Sequence, residues 1–341
     1  MKEEKIKFGL IGCGRIGKRH AEIVSQHPQM ELTAACDLRA DALQQLGVDT
    51  HCYQDAEGML RAHPDIEVAI IATPNALHVP QAILCLEAGK HVIVEKPLAL
   101  DKPSAERLIY TALHYNRKVF TVMQNRYSPP ARWLKELTES DKLGRINLVQ
   151  INCFWNRDER YYTGEDWHGK ADLDGGTLFT QFSHFIDILY WLFGDIENIQ
   201  SRLQDFNHQD LTDFEDTGVV TFELVNGGMG ILNFSTSCWK QNFESSITII
   251  AEKGTIKVGG QYFNQVEYCE VDGYELPELA PVKPANQYGE IRGSAANHSF
   301  VYDNVLAVLK GQGSITTNAL EGLKVVEIIE RIYKSSNNLS T

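Results

Sequence analysis

The sequence predicts an α/β protein: a doubly wound parallel sheet comes first, and a second α/β domain containing an antiparallel meander follows. Three observations predict it. Short apolar runs alternate with helical patterns as far as residue 123. A glycine-rich turn joins the first apolar run to the first helical pattern. Beyond Phe214 the pattern changes to successive strand-like runs joined by hairpin-type turns. The predicted division is 1–123 and 124–341.

Ile6, Phe8 and Leu10 form the first run, apolar as a buried parallel strand is. Gly12, Gly14 and Gly17 follow with G-x-G-x-x-G spacing. Ile16, His20, Ile23 and Val24 then share one helical face, and Pro28 lies just past its end. Strand, glycine turn and helix is the context of a dinucleotide-binding Rossmann unit. Gly12 permits the turn, Gly14 lets backbone approach a pyrophosphate, and Gly17 lets helix and strand pack closely. Arg15 and Ile16 open the helix whose free N–H groups and positive dipole end face the phosphates. A second strand, Glu31–Cys36, ends at Asp37, an acid placed to accept from ribose hydroxyls and to repel a 2′-phosphate. NAD is therefore expected over NADP, although Arg39 nearby suits a phosphate; Asp37 can alternatively cap a helix over Ala40–Leu46.

A short helix over Glu57–His63 precedes the apolar strand Val68–Ala72. Thr73, Pro74, Asn75 and His78 follow at its carboxyl end, where ligands of such sheets sit. The next helix spans Val79–Ala88 and closes at Gly89. His91–Val94 is a strand with Glu95, Lys96 and Pro97 at its end; a helix over Ser104–Tyr115 and a strand over Lys118–Met123 complete the sheet.

Composition excludes several classes. A 341-residue chain with 43% hydrophobic and 23% charged residues is ordinary for a globular protein. Its net charge of −13, from 32 basic and 45 acidic residues, argues against a nucleic-acid or acidic-membrane binder. Seven cysteines without C-x-x-C or histidine-rich spacing predict reduced thiols and no metal site. No apolar run reaches the roughly 18 residues of a membrane span, and the segment Met1–Lys5 has no apolar core. A cytoplasmic protein is expected.

In the second domain, Gln124, Asn125, Arg126 and Tyr127 leave the last strand of the first sheet, and Pro129–Pro130 are expected to break the chain before a helix over Ala131–Glu139. Arg145–Trp155 reads as a strand. The polar-aromatic loop 156–169, with Tyr161, Tyr162 and Trp167, suits a sugar or phosphate ligand, and equally a solvated excursion. A helix over Leu178–Phe193 ends at Gly194 and carries His184 among Phe182, Phe185 and Ile188. Strands follow over Thr217–Leu224, Gly230–Cys238, Ser246–Ala251 and Gly254–Val258. Phe222, Ile231, Phe234 and Trp239 lie on an oligomer face or beneath helices of the same chain. Residues 277–294 read as a polar loop, His298 opens a helix to Leu309, and Thr317–Tyr333 is the closing helix. His298 either lines a substrate site or caps its helix.

The glycine fingerprint, Asp37, Thr73-Pro-Asn-x-x-His78, Glu95-Lys-Pro97, Asp174-Gly-Gly176 and His184-Phe-Ile-Asp187 together resemble the glucose–fructose oxidoreductase/inositol dehydrogenase/MocA family along nearly the whole chain. The resemblance implies a second domain with a large, mostly antiparallel open sheet, and homodimers or homotetramers built through it. It also implies hydride transfer between a nicotinamide and a hydroxyl-bearing carbon of a sugar, cyclitol or nucleotide sugar. Lys96 and His184 are then the catalytic residues. Glu95, Lys96, Pro97 and Asn125 join the glycine turn, Asp37 and the Thr73–His78 segment around the cofactor. Arg126, Tyr162, Trp167, Thr180, Gln181 and His298 are the candidate substrate contacts. Thr180 departs from the acid many family members carry one turn before the histidine. Gln124-Asn-Arg126, Phe154-Trp155, Tyr161-Tyr162, Trp167 and Gln181-Phe-Ser-His184 resemble the bacterial branch that oxidises the 3-hydroxyl of UDP-N-acetylglucosaminuronic acid. Two alternatives stay open: a dinucleotide-binding regulator without turnover, and a sugar–sugar oxidoreductase that retains its cofactor.

Overall fold

The computed structural model describes residues 5–164, 167–288 and 291–337. Two compact units emerge, Met1–Val122 with His298–Leu323, and Met123–Asn297 with Lys324–Thr341. The expected cut at residue 123 thus misses a return of the chain. Residues 298–323 join the first unit because the Thr121 N–H donates to the Thr317 carbonyl (3.0 Å) and Phe120 bridges Asn318.

The first unit holds six parallel strands: β1 (Ile6–Ile11), β2 (Met30–Cys36), β3 (His51–Tyr53), β4 (Val68–Ile71), β5 (His91–Val94) and β6 (Val119–Thr121). Their order is β3-β2-β1-β4-β5-β6. Every residue of β4 is buried, and so are the last three of β5, as a sheet covered on both faces requires. The connections are α1 (Arg15–Gln26), α2 (Ala40–Gln44), α3 (Ala56–Ala62), α4 (His78–Glu87) and α5 (Lys102–His114). Asp55 and Asp101 cap α3 and α5 through their carboxylates.

In the second unit, α6 (Pro129–Glu139) begins at the proline pair, which supplies its first two residues instead of breaking the chain. The first turn of a helix needs no proline N–H, and its φ suits that position. β7 (Ile146–Phe154), α7 (Glu159–Tyr162), α8 (Ala171–Asp174) and α9 (Ser183–Phe193) follow, with a π-helical turn at Leu178–Phe182 ahead of α9. Then come β8 (Ile196–Gln204), β9 (Thr217–Leu224), β10 (Met229–Ser235), β11 (Glu244–Ala251), β12 (Gly254–Gly259) and β13 (Gln265–Val271). The seven-stranded sheet runs β13-β12-β11-β7-β10-β9-β8, antiparallel throughout except where β10 lies parallel to β7. A separate hairpin, β14 (Ala285–Tyr288) and β15 (Ile291–Ala295), occupies the segment expected to be loop.

The sheet alternates strictly along β9, which buries Val220, Phe222 and Leu224 and exposes Val219. Phe222 and Phe234 belong to this buried face, with the Phe234 ring 5.7 Å from that of Phe182. They are core residues beneath the chain's own helical segment, not members of an external face. Trp239 is 85% exposed, and Met229 and Phe243 are also exposed.

Candidate active site

At the turn after β1, Gly12 has φ +94°, and a Cβ there would sit 2.5 Å from the Ala72 carbonyl oxygen. A Cβ on Gly17 would overlap the Gly12 carbonyl oxygen. Gly14 differs, because a Cβ would meet only the Arg39 guanidinium, at 3.9 Å. Two glycines are thus demanded by the fold, whereas the third opens on space. Gly14 is also the residue preceding α1, and no side chain caps the helix there. The backbone amides that open α1 and the positive end of its dipole form a cradle suited to a pyrophosphate.

Asp37 holds this turn. Its Oδ2 accepts from the Cys13 N–H (2.7 Å) and its Oδ1 from the Arg39 N–H (2.9 Å). The residue preceding α2 is Arg39, so the capping alternative for Asp37 does not describe the structure. The Arg39 guanidinium stands 3.7 Å from Asp37 Oδ1. This places a carboxylate at the carboxyl end of β2, where a ribose diol is recognised and a 2′-phosphate repelled.

Beyond β4, Thr73 donates its hydroxyl to Gln81 (2.7 Å), Pro74 leads into a short 3₁₀ turn, and Asn75 is buried. The His78 ring lies between two carbonyls, Pro97 O at 2.7 Å from Nδ1 and Thr73 O at 2.9 Å from Nε2. His78 therefore ties the segment after β4 to the Glu95–Pro97 segment after β5. Burial first of all lowers its pKa. The Lys96–Pro97 peptide is cis, and Lys96 is half-buried.

Glu95 has partners that the sequence did not reveal. Its Oε1 lies 2.9 Å from His20 Nε2 and 3.7 Å from His298 Nε2, while Oε2 accepts from the Lys96 N–H at 3.1 Å. Burial alone raises this carboxyl; His20, His298 and Lys96 outweigh it and bring it down to about 2. Burial takes His298 the other way, to about 3. His298 is thus a buried partner of Glu95 in the first unit.

The second unit collects the remaining candidates. The His184 Nε2 lies 3.2 Å from the Gln124 side-chain nitrogen. This contact ties the His184 ring to the Gln124 amide. Arg126 makes a bidentate pair with Asp187, Nε to Oδ2 at 2.8 Å and Nη2 to Oδ1 at 2.6 Å, both side chains 1% exposed. Arg126, a candidate substrate contact, braces the Gln124–Tyr127 turn against α9 through this pair. Asn125 is buried, and neither end of its amide finds a hydrogen-bond partner among the described residues.

Thr180 donates to both the carbonyl and the carboxylate of Asp174. An acid therefore stands beside Thr180 in space although none precedes His184 by one turn in sequence. Asp174 is 1% exposed and also accepts from the Gly169 N–H (2.8 Å). Gln181 accepts from Arg157 Nε and donates to the Tyr161 hydroxyl, each at 2.7 Å. The buried Arg157 guanidinium lies over the rings of Trp155 (4.8 Å) and Tyr161 (5.2 Å). Tyr162 is buried near His208, and Trp167 sits against His168, whose ring faces Tyr161 at 4.3 Å. Residues 165 and 166 of this loop, and the side chains of Tyr288 and Arg292, lie outside the described residues.

Residues 6–123 match the oxidoreductase family model described as an NAD-binding Rossmann fold, and residues 131–257 match the Gfo/Idh/MocA C-terminal domain. The chain belongs to the Gfo/Idh/MocA family of oxidoreductases. Its structure is similar to that of the WlbA dehydrogenase from Bordetella pertussis in complex with NADH and UDP-GlcNAcA. The TM-score is 0.87 and the identity 33%, over 98% of this chain and 97% of that one. Among curated relatives, inositol 2-dehydrogenase of Rhizobium meliloti is 22% identical over 97% of this chain and 96% of its own. Myo-inositol 2-dehydrogenase of Thermotoga maritima is 26% identical over 74% of each. The expected fold class and family therefore hold, and no helix among the described residues is long and apolar enough to cross a membrane.

Proposed function

We propose that this enzyme oxidises a secondary alcohol of a nucleotide sugar with NAD, the substrate being a UDP-N-acetylhexosaminuronate attacked at its 3-hydroxyl. The observation that carries the reading is the uncapped start of α1 behind Gly14, braced by the Asp37 carboxylate. Gly12, Gly14, Arg15, Ile16 and Gly17 hold the pyrophosphate, and Asp37 holds the adenosine ribose. Thr73, Pro74, Asn75, His78, Glu95, Lys96, Pro97 and Asn125 complete the cofactor's surroundings. The unsatisfied, buried Asn125 amide fits a ligand with donor and acceptor groups, as a nicotinamide carboxamide has. NAD, when bound, supplies the hydride acceptor.

The chain's own residues manage the proton. Lys96 takes it from the substrate hydroxyl through its amine. His184, whose ring contacts the Gln124 amide, is the second unit's candidate for proton transfer. Arg157, held by Gln181 and stacked on Trp155 and Tyr161, offers a guanidinium to a uronate carboxylate. Tyr162, Trp167, Thr180 and Gln181 line the sugar. The nucleotide-sugar reading draws on the 33% identity to the WlbA dehydrogenase. We further infer a homodimer or homotetramer formed through the sheet face that exposes Val219 and Met229; light scattering giving a monomer mass would refute it.

The test is direct. Purified protein, NAD and UDP-N-acetylglucosaminuronic acid should generate the near-ultraviolet absorbance of reduced nicotinamide. myo-Inositol in its place should generate little. A rise with inositol and none with the uronate would move the substrate class to cyclitols.

A further inference from the structure

Behind Lys96 lies a buried polar cluster that the proton transfer does not itself use. Four side chains meet there from three elements: His20 of α1, Glu95 at the end of β5, and His298 and Tyr302 of the helix His298–Leu309. None is more than 5% exposed. His20 Nδ1 lies 2.7 Å from the Tyr302 hydroxyl and its Nε2 lies 2.9 Å from Glu95 Oε1. With Tyr302 donating to Nδ1 and Nε2–H donating to the carboxylate, one ring proton satisfies both neighbours. The second carboxylate oxygen accepts the backbone N–H of Lys96. The Phe8 and His298 rings, 5.9 Å from Tyr302 and 5.6 Å from His20, wall the cluster.

A buried carboxylate costs several kcal/mol unless it is hydrogen-bonded or paired. This one meets two imidazoles and a backbone amide, and it is adjacent in sequence to the amine assigned to proton transfer. We propose that Glu95 is the positioning residue for Lys96: held through His20 by Tyr302, it fixes the backbone from which the amine projects and sets a negative charge beside that amine. The proposal rests on the assignment of Lys96 above. Its consequence is electrostatic. The ionisable groups facing Glu95 are His20, His298, Tyr302, Lys96 and His78, with Arg19 acting on His298. Removing the Glu95 charge removes the anion that favours the ammonium form of Lys96. A substitution affecting packing alone would leave the titration of that amine in place.

The experiment titrates the amine itself. Lysines are reductively methylated with ¹³C-formaldehyde, and the Lys96 resonance is assigned by its loss in Lys96→Arg. Its midpoint is followed against pH in the native chain, Glu95→Gln and Tyr302→Phe, each checked by thermal melting. Glu95→Gln keeps the shape and an acceptor for the Lys96 N–H. Its midpoint should fall by about one pH unit, the direction and order of shift that follow when a neighbouring opposite charge is removed. Tyr302→Phe, which deletes one hydroxyl and remains available if Glu95→Gln does not fold, should shift it in the same direction by less. An unchanged midpoint in either folded variant overturns the proposal. Turnover by Lys96→Ala at the native rate would instead refute the proton-transfer assignment, and with it the proposal's purpose.

Discussion

Replacing Arg126 by alanine separates a brace from a substrate contact. The guanidinium makes two short hydrogen bonds to Asp187, and both side chains are 1% exposed. Removing the arginine strands a carboxylate that water cannot reach. Breaking a buried pair from one side costs about 3–5 kcal/mol. For a unit of this size each kcal/mol moves the melting midpoint by about 2–4 °C, so Arg126→Ala should melt roughly 10 °C lower. The double variant Arg126→Met, Asp187→Leu fills similar volume without charge and should recover most of the loss, because an apolar pair of matched shape is often neutral or stabilising there. Differential scanning calorimetry of the two single variants and the double variant measures the coupling. If Arg126→Ala melts within about 2 °C of the native chain while its KM for the nucleotide sugar rises tenfold, Arg126 is a substrate contact and the bracing account is wrong.

Three other outcomes follow from the geometry. Gly14→Ala should fold normally and lose at least tenfold in NAD affinity, whereas Gly17→Ala should reduce soluble, folded protein, because only the latter overlaps backbone; calorimetric titration and thermal melting distinguish them. Burial raises the Glu215 carboxyl to about 7, against the opposing hydrogen bond from Tyr333. A carboxyl raised in the folded state contributes stability that is complete below its unfolded value of about 4.5 and lost as pH rises through about 7. The native chain should therefore lose a few degrees more of melting temperature between about pH 5 and pH 8 than Glu215→Gln does; equal losses would contradict this. Asp174→Ala should lower kcat at least tenfold more than Thr180→Ser, because the serine keeps the hydroxyl that donates to Asp174; equal rates would remove Asp174 from the site.

The legible parts of the chain were those with local signals. The glycine spacing, the continuous apolar strands of the first sheet and the alternation along β9 each follow from a period of a few residues. β3 gives no signal because it is only three residues long and largely exposed, and β8 gives little because polar residues interrupt both faces of Ile196–Gln204. The return of residues 298–323 to the first unit carries no composition shift. The site followed the same rule. Lys96 and His184 stood out by resemblance to a family motif. His20 did not, since it sits on the buried face of α1 among Ile16, Ile23 and Val24 and pairs with Glu95 across 75 positions. Asp174 serves Thr180 through a turn that begins at Gly175, with φ +88°, and continues through Gly176, whose Cβ would overlap the Tyr333 hydroxyl. Such pairings exist only once the chain is folded.

The central claim is that a dinucleotide binds against the start of α1 and that Lys96 moves the substrate proton. Stopped-flow absorbance of the native chain and Lys96→Ala, each with saturating NAD and UDP-N-acetylglucosaminuronic acid, tests both parts. Native protein should reduce NAD, and Lys96→Ala should bind NAD equally well yet reduce it at least a thousandfold more slowly, on the order of what loss of a general base removes. Equal rates in the two proteins, or no NAD binding by either, would contradict the account.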